Sequence, residues 1–251
     1  MPPSPSRRVL VTGASRGIGA AIAHAFAELG DRVAIHYGHR REQALEVAAA
    51  LPGEGHLVAG ADLADAGAVR QMVAEVERSF GGVDVLVNNA GVFEPHPIDA
   101  SSYEEWQRAW NHTLAVNLVG AANVTWCAVQ HMPPGGRIVN VASRGAFRGE
   151  PGQPAYGASK AGLVAFGQSL ARALGDRRIA VTSVAPGYAE TDMAADALAG
   201  EAGVRRRAES PLGRVATATE VAAAVIYLAS PQAELASGAV LDFNGASHLR
   251  L

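Results

Sequence analysis

With one cysteine, Cys127, in 251 residues, the chain cannot form an internal disulfide. Aromatic residues make up 6% and charged residues 18%. Neither sign of charge dominates: 21 Lys and Arg stand against 24 Asp and Glu, a net charge of -3. That balance gives no electrostatic case for nucleic acid or an anionic membrane as a partner. No apolar run approaches the ~20 residues needed to cross a bilayer. The opening "MPPSPSRR" lacks the apolar core of a signal peptide. The eight histidines contain no H-x-x-x-H pair, so no metal is expected. These absences predict a cytoplasmic protein in a reducing setting. Cys127, inside "NVTWCAVQ", reads as a buried small hydrophobe.

What is abundant is small and apolar. Hydrophobic residues reach 49%, and there are 28 glycines. Short β-branched runs alternate with helical periodicity along the chain. "RVLVTG" reads as a buried strand, and "GIGAAIAHAFAELG" as a helix stopping at Gly30. "DRVAIHY", "HLVAGADL", "VDVLVNNAG", "GRIVNVAS", "IAVTSVAPG" and "GAVLDFNGA" read as further strands. Helices fill the gaps, including a long stretch over 103–132 that is expected to break near Asn111. Such alternation calls for a parallel sheet covered on both faces. The predicted class is α/β, a three-layer, doubly wound parallel sheet of seven strands (a Rossmann fold). Residues 1–7 are expected to be a flexible N-terminus, and 8–251 one domain. Within it, 190–211 reads as a mobile helical flap over the substrate.

"TGASRGIG" at residues 12–19 follows the first strand and opens the first helix. Gly13, Gly17 and Gly19 suit a tight turn, close approach to a pyrophosphate and close helix packing. The helix N-terminus offers N–H groups and a positive dipole end to the anion. NAD binders place an acid at the end of the second strand for the ribose hydroxyl. Here that place holds "HYGHRR", with Tyr37 and no acid. Arg16 lies in the turn, and Arg40 and Arg41 follow the strand. Guanidinium groups suit a 2′-phosphate, so NADP(H) is predicted over NAD(H). Arg41 reads as a solvated surface charge.

"YGASK" at residues 156–160 sets Tyr156 and Lys160 four apart, on one helix face. Together with "TGASRGIG", "NNAG" at 88–91, Asn117 in "LAVNLVG", Ser143 in "NVASRG" and "APGYAET", this resembles the classical short-chain dehydrogenase/reductase family. Tyr156 stands thirteen residues after Ser143, as the family pattern requires. The wording is most similar to the 3-oxoacyl-carrier-protein reductase group. The resemblance implies that Tyr156 is the general acid of reduction, or base of oxidation. Lys160 would lower the tyrosine pKa and hold the nicotinamide ribose. Ser143 would bind the substrate carbonyl oxygen, and Asn117 a relay water behind Lys160. Ser15, Arg16 and Ile18 would join the three glycines around the phosphates. Asp62, with Leu63 beside it, would cap the adenine edge. Asn89, Ala90 and Gly91 would line the adenosine ribose; Pro186, Gly187 and Thr191 would meet the nicotinamide end. A homotetramer, or a dimer, is implied, through a helix carrying Ala158, Ala161, Gly162 and Ala165.

Residues after Ser143 follow a strand C-terminus and should border the substrate. Phe147, Gln153 and Tyr188 are candidate wall residues, although Phe147 and Tyr188 fit a cover of the core edge equally well. Arg144 reads as meeting a surface carboxylate, with an anionic substrate as the alternative. Arg205, Arg206 and Arg207 form a charge run that reads as a solvated face; attraction of an acidic thioester carrier is the alternative. The expected substrate is a small carbonyl or alcohol, with a 3-oxoacyl thioester one option among ketones, alcohols and sugars. A catalytically silent NADP-binding regulatory protein is the competing function. An intact Asn117, Ser143, Tyr156 and Lys160 argues against it. An epimerase or dehydratase of the extended relatives would need a larger substrate region.

Overall fold

Seven short runs of β-branched and small apolar residues form the central sheet of this computed structural model, which describes residues 6–250. In chain order its strands are β1 (Arg8–Val11), β2 (Arg32–Tyr37), β3 (Leu57–Gly60), β4 (Val85–Asn88), β5 (Arg137–Val141), β6 (Ala180–Pro186) and, after two short strands described below, β9 (Val240–Phe243). All pair in parallel, in the order β3-β2-β1-β4-β5-β6-β9. Such pairing forbids hairpins and requires the crossover helices that the sequence supplies.

Strand side chains alternate between two cores. Val9, Val11, Val33, Ile35, Val85, Val87, Val139 and Val141 face one side. There they meet α1 (Gly17–Glu28), α2 (Arg41–Ala50) and α9 (Ala218–Leu228). Leu10, Ala34, Leu86, Ile138 and Val181 face the other. They pack on α3 (Ala66–Phe80), α5 (Ala121–Val129) and the end of α7 (Pro154–Ala173). Each fully buried Val, Leu or Ile contributes about 1.5–3 kcal/mol, so these two layers fix the register of the sheet.

Helix starts follow their caps. Asp65 accepts from Gly67 and Ala68 N–H at the head of α3. Ser102 with Glu105, and Thr217 with Glu220, form capping boxes on α4 (Tyr103–Leu114) and α9. Pro154 opens α7 with no side-chain cap.

Several expectations change. The helix over 103–132 does not break at Asn111; α4 runs through it, and the irregular stretch is a π-helical segment, Ala115–Gly120, before α5. Asn117 lies inside that segment. The region over 190–211 begins as β7 (Ala189–Glu190), continues as two 3₁₀ turns, and ends in α8 (Gly200–Ala208). β7 pairs in parallel with β8 (Ala216–Thr217), a small ladder absent from the sequence reading. The charge run is not a bare solvated face. Arg206 donates to Ala197 O, and Arg207 Nη1 to Leu198 O at 3.0 Å, so both fasten α8 to the turn before it. Of the expected flexible N-terminus, residues 1–5 lie outside the described residues. Arg7 is anchored to Asp31 at 2.6 Å and to Ala229 O at 2.9 Å. Cys127 is half-buried, with its thiol pushed up mainly by burial.

The strand order reverses between β1 and β4, and a cleft opens at the carboxyl ends of these strands.

Candidate active site

The β1–α1 turn forms one wall of this cleft. Gly13 (φ 64°) and Gly17 (φ 56°) adopt the left-handed conformation that L side chains avoid. A Cβ on Gly13 would lie 2.7 Å from Ala90 Cα, and one on Gly19 only 2.3 Å from Gly13 O. Thr12 and Asn89 close the turn from the inside. The Thr12 hydroxyl accepts from Asn89 N at 2.9 Å and Ala90 N at 3.0 Å. Asn89 Nδ2 donates to Thr12 O at 2.9 Å and Gly13 O at 3.1 Å. Helix α1 then begins with Arg16 as N-cap, no side-chain cap bond and no acid in its first turn. Its first-turn N–H groups and dipole are therefore left for an anion, and glycine backbone admits it closely. This cradle fits the pyrophosphate of a dinucleotide.

Gly13, Ser15, Arg16, Gly17, Ile18, Gly19, Arg40, Asp62, Leu63, Asn89, Ala90, Gly91, Pro186, Gly187 and Thr191 all line the cleft. Tyr37 does not. Its ring lies over Gly60, where a Cβ would come within 2.7 Å of Tyr37 Cζ and Oη. A period-two strand turns residue 37 away from the side on which residues 36 and 38 open. His36, Gly38 and His39 line the cleft in its place. Arg16 faces the cleft and also pairs with Asp192 at 3.5 Å.

At the other end, Ser143, Tyr156 and Lys160 line the same cleft. Ser143 follows β5, and its hydroxyl accepts from Gly145 N at 3.0 Å. Tyr156 sits in the first turn of α7, its ring edge-on to Phe93 at 4.8 Å. Lys160 is buried one turn on. Its Nζ donates to Val141 O at 2.8 Å and lies 5.7 Å from the centroid of the Tyr156 ring. Burial pushes the phenol up to about 12; the Ser143 hydroxyl works against this, while Glu150 and Tyr188 add to it. Burial brings the lysine down to about 8. The expected lowering of the tyrosine by Lys160 is thus absent from this state: the cation is bonded to a strand carbonyl, and desolvation decides the sign.

Asn117 is buried beside this pair without lining the cleft. Its Oδ1 accepts from Val92 N at 2.8 Å, and its Nδ2 donates to Val92 O at 3.0 Å and Ser159 Oγ at 3.2 Å. The side chain therefore ties the chain after β4 to α7. A Cβ on Gly91 would meet Asn117 Oδ1 at 3.3 Å and Lys160 Nζ at 3.5 Å, so both groups press on one backbone position.

The candidate wall residues are not brought to this cleft. Phe147 lies under Arg250, whose guanidinium is 4.3 Å from the ring centroid. Gln153 is the N-cap of α7. Tyr188 lines a neighbouring pocket, between the guanidiniums of Arg144 (5.1 Å) and Arg206 (5.3 Å). Arg144 is not at the surface. It is 3% exposed, pairs with Glu209 at 2.6 Å and donates to Ser247 Oγ at 2.5 Å. Val92, His112, Val116 and Met193 line the cleft instead. His112 Nδ1 lies 2.7 Å from Glu94 Oε1. Val92 directly follows "NNAG", whereas His112 comes from α4, Val116 from the π-helical segment and Met193 from the 190s segment, and none of these three carries a motif.

A family model described as Enoyl-(Acyl carrier protein) reductase matches residues 13–248. Over 248 residues the chain is 37% identical to the 3-oxoacyl-[acyl-carrier-protein] reductase FabG of Staphylococcus aureus, covering 97% of this chain and 99% of that one. The chain belongs to the short-chain dehydrogenase/reductase family. Among solved structures it is similar to a short-chain dehydrogenase from Burkholderia cenocepacia in complex with NADP: TM-score 0.85, 38% identity, 96% of this chain and 97% of that one. It is also similar to the angucycline C-6 ketoreductase LanV with bound NADP: TM-score 0.87, 34% identity, 95% and 94% coverage. This short-chain dehydrogenase/reductase thus shares with oxidoreductases both a sequence family and a seven-stranded doubly wound sheet. No helix among its described residues is long and apolar enough to cross a membrane.

Proposed function

We propose that the chain is an NADP(H)-dependent oxidoreductase acting on a carbonyl or secondary alcohol, with Tyr156 as general acid and base. One observation carries this reading. Ser143, Tyr156 and Lys160 share a cleft with the uncapped N-terminus of α1.

The glycine turn and α1 would hold the pyrophosphate, Asp62 and Leu63 the adenine, and Pro186, Gly187 and Thr191 the far end. When bound, the nicotinamide supplies or accepts the hydride. Ser143 donates a hydrogen bond to the substrate oxygen, where negative charge grows. Tyr156 gives its phenolic proton to that oxygen in reduction and takes it back in oxidation. With the phenol at about 12, Tyr156 is a fully protonated acid near neutrality. In oxidation it must act as a base, which requires Lys160 to exchange Val141 O for partners nearer the phenol and the cofactor ribose. Asn117 braces the start of that movement by holding Ser159, the residue before Lys160.

Arg16, in the β1–α1 turn, and Arg40, three residues after β2, both line the cleft, and no carboxylate occupies the end of β2. That supports a 2′-phosphate. Beyond the cofactor residues, the wall is formed by Val92, Val116 and Met193 together with His112 and Asp192. It suits a ketone, including the 3-oxo group of an acyl thioester. The family resemblance extends the reading to a cytoplasmic homotetramer or dimer.

The test is a panel of ketones, 3-oxoacyl thioesters and secondary alcohols, followed by NADPH absorbance, with kcat/KM compared for NADPH and NADH. A carbonyl turned over with NADPH preferred is expected. Preference for NADH would overturn the cofactor assignment. NADPH binding without turnover of any compound would favour the silent regulatory protein.

A further inference from the structure

The cleft has a buried residue that the chemistry above does not use. His36 lies on β2, 1% exposed, directly behind the glycine turn. Its Nδ1 is 2.9 Å from Gly13 N, and its Nε2 is 3.0 Å from Ala61 O. A backbone N–H can only donate, so Nδ1 must accept. A carbonyl can only accept, so Nε2 must carry the proton. The two bonds thus admit a single form of the ring: neutral and protonated at Nε2. The imidazolium is excluded, because it has no lone pair for Gly13. Burial acts in the same direction, bringing the imidazole down to about 4.

The two partners lie in different loops of the cleft, after the strands on either side of β2. Gly13 begins the phosphate turn, and Ala61 immediately precedes Asp62 and Leu63. The backbone of the same residue adds a third tie, as His36 O accepts from Ala14 N at 2.8 Å. Gly13 has φ 64° and no side chain; Asn89 Nδ2 holds its carbonyl at 3.1 Å, and His36 is the partner of its N–H.

We propose that His36 is a positioning residue for the dinucleotide: its neutral imidazole bridges the phosphate turn to the adenine-side loop and fixes the spacing between them. This rests on the reading that the cleft holds a dinucleotide. His36 touches neither substrate nor the reacting atoms. Its loss therefore acts on cofactor affinity, not on the chemical step. His36→Leu leaves Gly13 N–H and Ala61 C=O buried without partners. His36→Asn restores the acceptor for Gly13 N–H, because its Oδ1 and the ring Nδ1 are both bonded to Cγ, and leaves only Ala61 O without its former partner.

The experiment measures the NADPH Kd and, at saturating NADPH, kcat and the ketone KM for wild type, His36→Leu and His36→Asn. Far-ultraviolet circular dichroism establishes that each is folded. The proposal predicts about tenfold weaker NADPH binding for His36→Leu, the scale of one to two lost buried hydrogen bonds. His36→Asn stays within about threefold of wild type, and kcat is unchanged in both. His36→Leu binding like wild type, or His36→Asn failing as badly as His36→Leu, overturns it. Should His36→Leu not fold, nitrogen-15 spectra of the wild-type imidazole decide. A neutral ring protonated at Nε2 at pH 7 supports the bridge; an imidazolium or an Nδ1-protonated ring overturns it. Wild type that binds neither NADPH nor NADH refutes the dinucleotide reading itself, an outcome distinct from any difference among the variants.

Discussion

Lys160 pays a desolvation penalty that shows how the catalytic end is built. Its ammonium is buried with one carbonyl partner, Val141 O, and burial brings its pKa from 10.5 down to about 8. The sign of the linkage follows. Between pH 8 and 10.5 the unfolded chain holds a proton that the folded chain has released, so stability rises with pH across that window. Relative to Lys160→Met, wild type should gain up to about 3 kcal/mol from pH 8 to 10.5 in denaturant titrations. Equal slopes for the two proteins would show that the lysine is not desolvated. At this scale the sequence spoke clearly where chemistry depends on residue type and spacing. Ser143, Tyr156 and Lys160 line one cleft. The sequence was silent on partners chosen by packing. Lys160 bonding to a strand carbonyl, Tyr37 turning onto Gly60, and Arg144 buried against Glu209 all follow from burial, which spacing does not encode.

Among the elements, the β1–α1 unit is the most constrained and was the most legible. Its glycines are demanded by geometry that only glycine satisfies. Gly19→Ala places a methyl 2.3 Å from Gly13 O and 2.5 Å from Asn89 Nδ2, both backbone or rigidly held groups. The turn must shift, and the anion cradle with it. We expect Gly19→Ala to weaken NADPH binding by at least about tenfold in fluorescence titration, as loss of several charge-assisted hydrogen bonds would. Unchanged affinity would place the pyrophosphate elsewhere. The Ala115–Gly120 π-helical segment was not legible. Residues 103–129 carry helical periodicity throughout, and nothing in composition marks the register change. Its cause is tertiary: Asn117 pairs with both the N–H and the C=O of Val92 while remaining in a helix. The wall residues failed for a related reason. Phe147 and Tyr188 were placed by their distance from strand ends, yet cation–ring contacts with Arg250, Arg144 and Arg206 hold them outside the cleft.

For the whole molecule, one sheet organises everything: strand order puts the switch point at β1 and β4, and both ends of the cleft are built on it. Ionic ties then join segments far apart in sequence. Glu209, after α8, meets Arg144 at 2.6 Å and Arg148 at 3.1 Å, joining the end of α8 to the loop that carries Ser143. The outer surface carries an unfinished feature. Trp126 on α5 is 65% exposed and Val119 52%, and Ala158 and Ala165 are exposed on α7. Gly162, by contrast, already faces Leu118, which a Cβ would approach to 2.9 Å. A helical face of this kind suits a second copy of the chain. Light scattering after size exclusion should give a dimer or tetramer; a monomer at micromolar concentration would refute the assembly. The proposed activity depends on proton transfer by one phenol beside a bound nicotinamide cofactor. Its most direct test is kcat and NADPH Kd for Tyr156→Phe on a ketone that the wild type reduces. The account predicts kcat lower by about 10²–10⁴-fold with Kd unchanged; turnover close to wild type would contradict it.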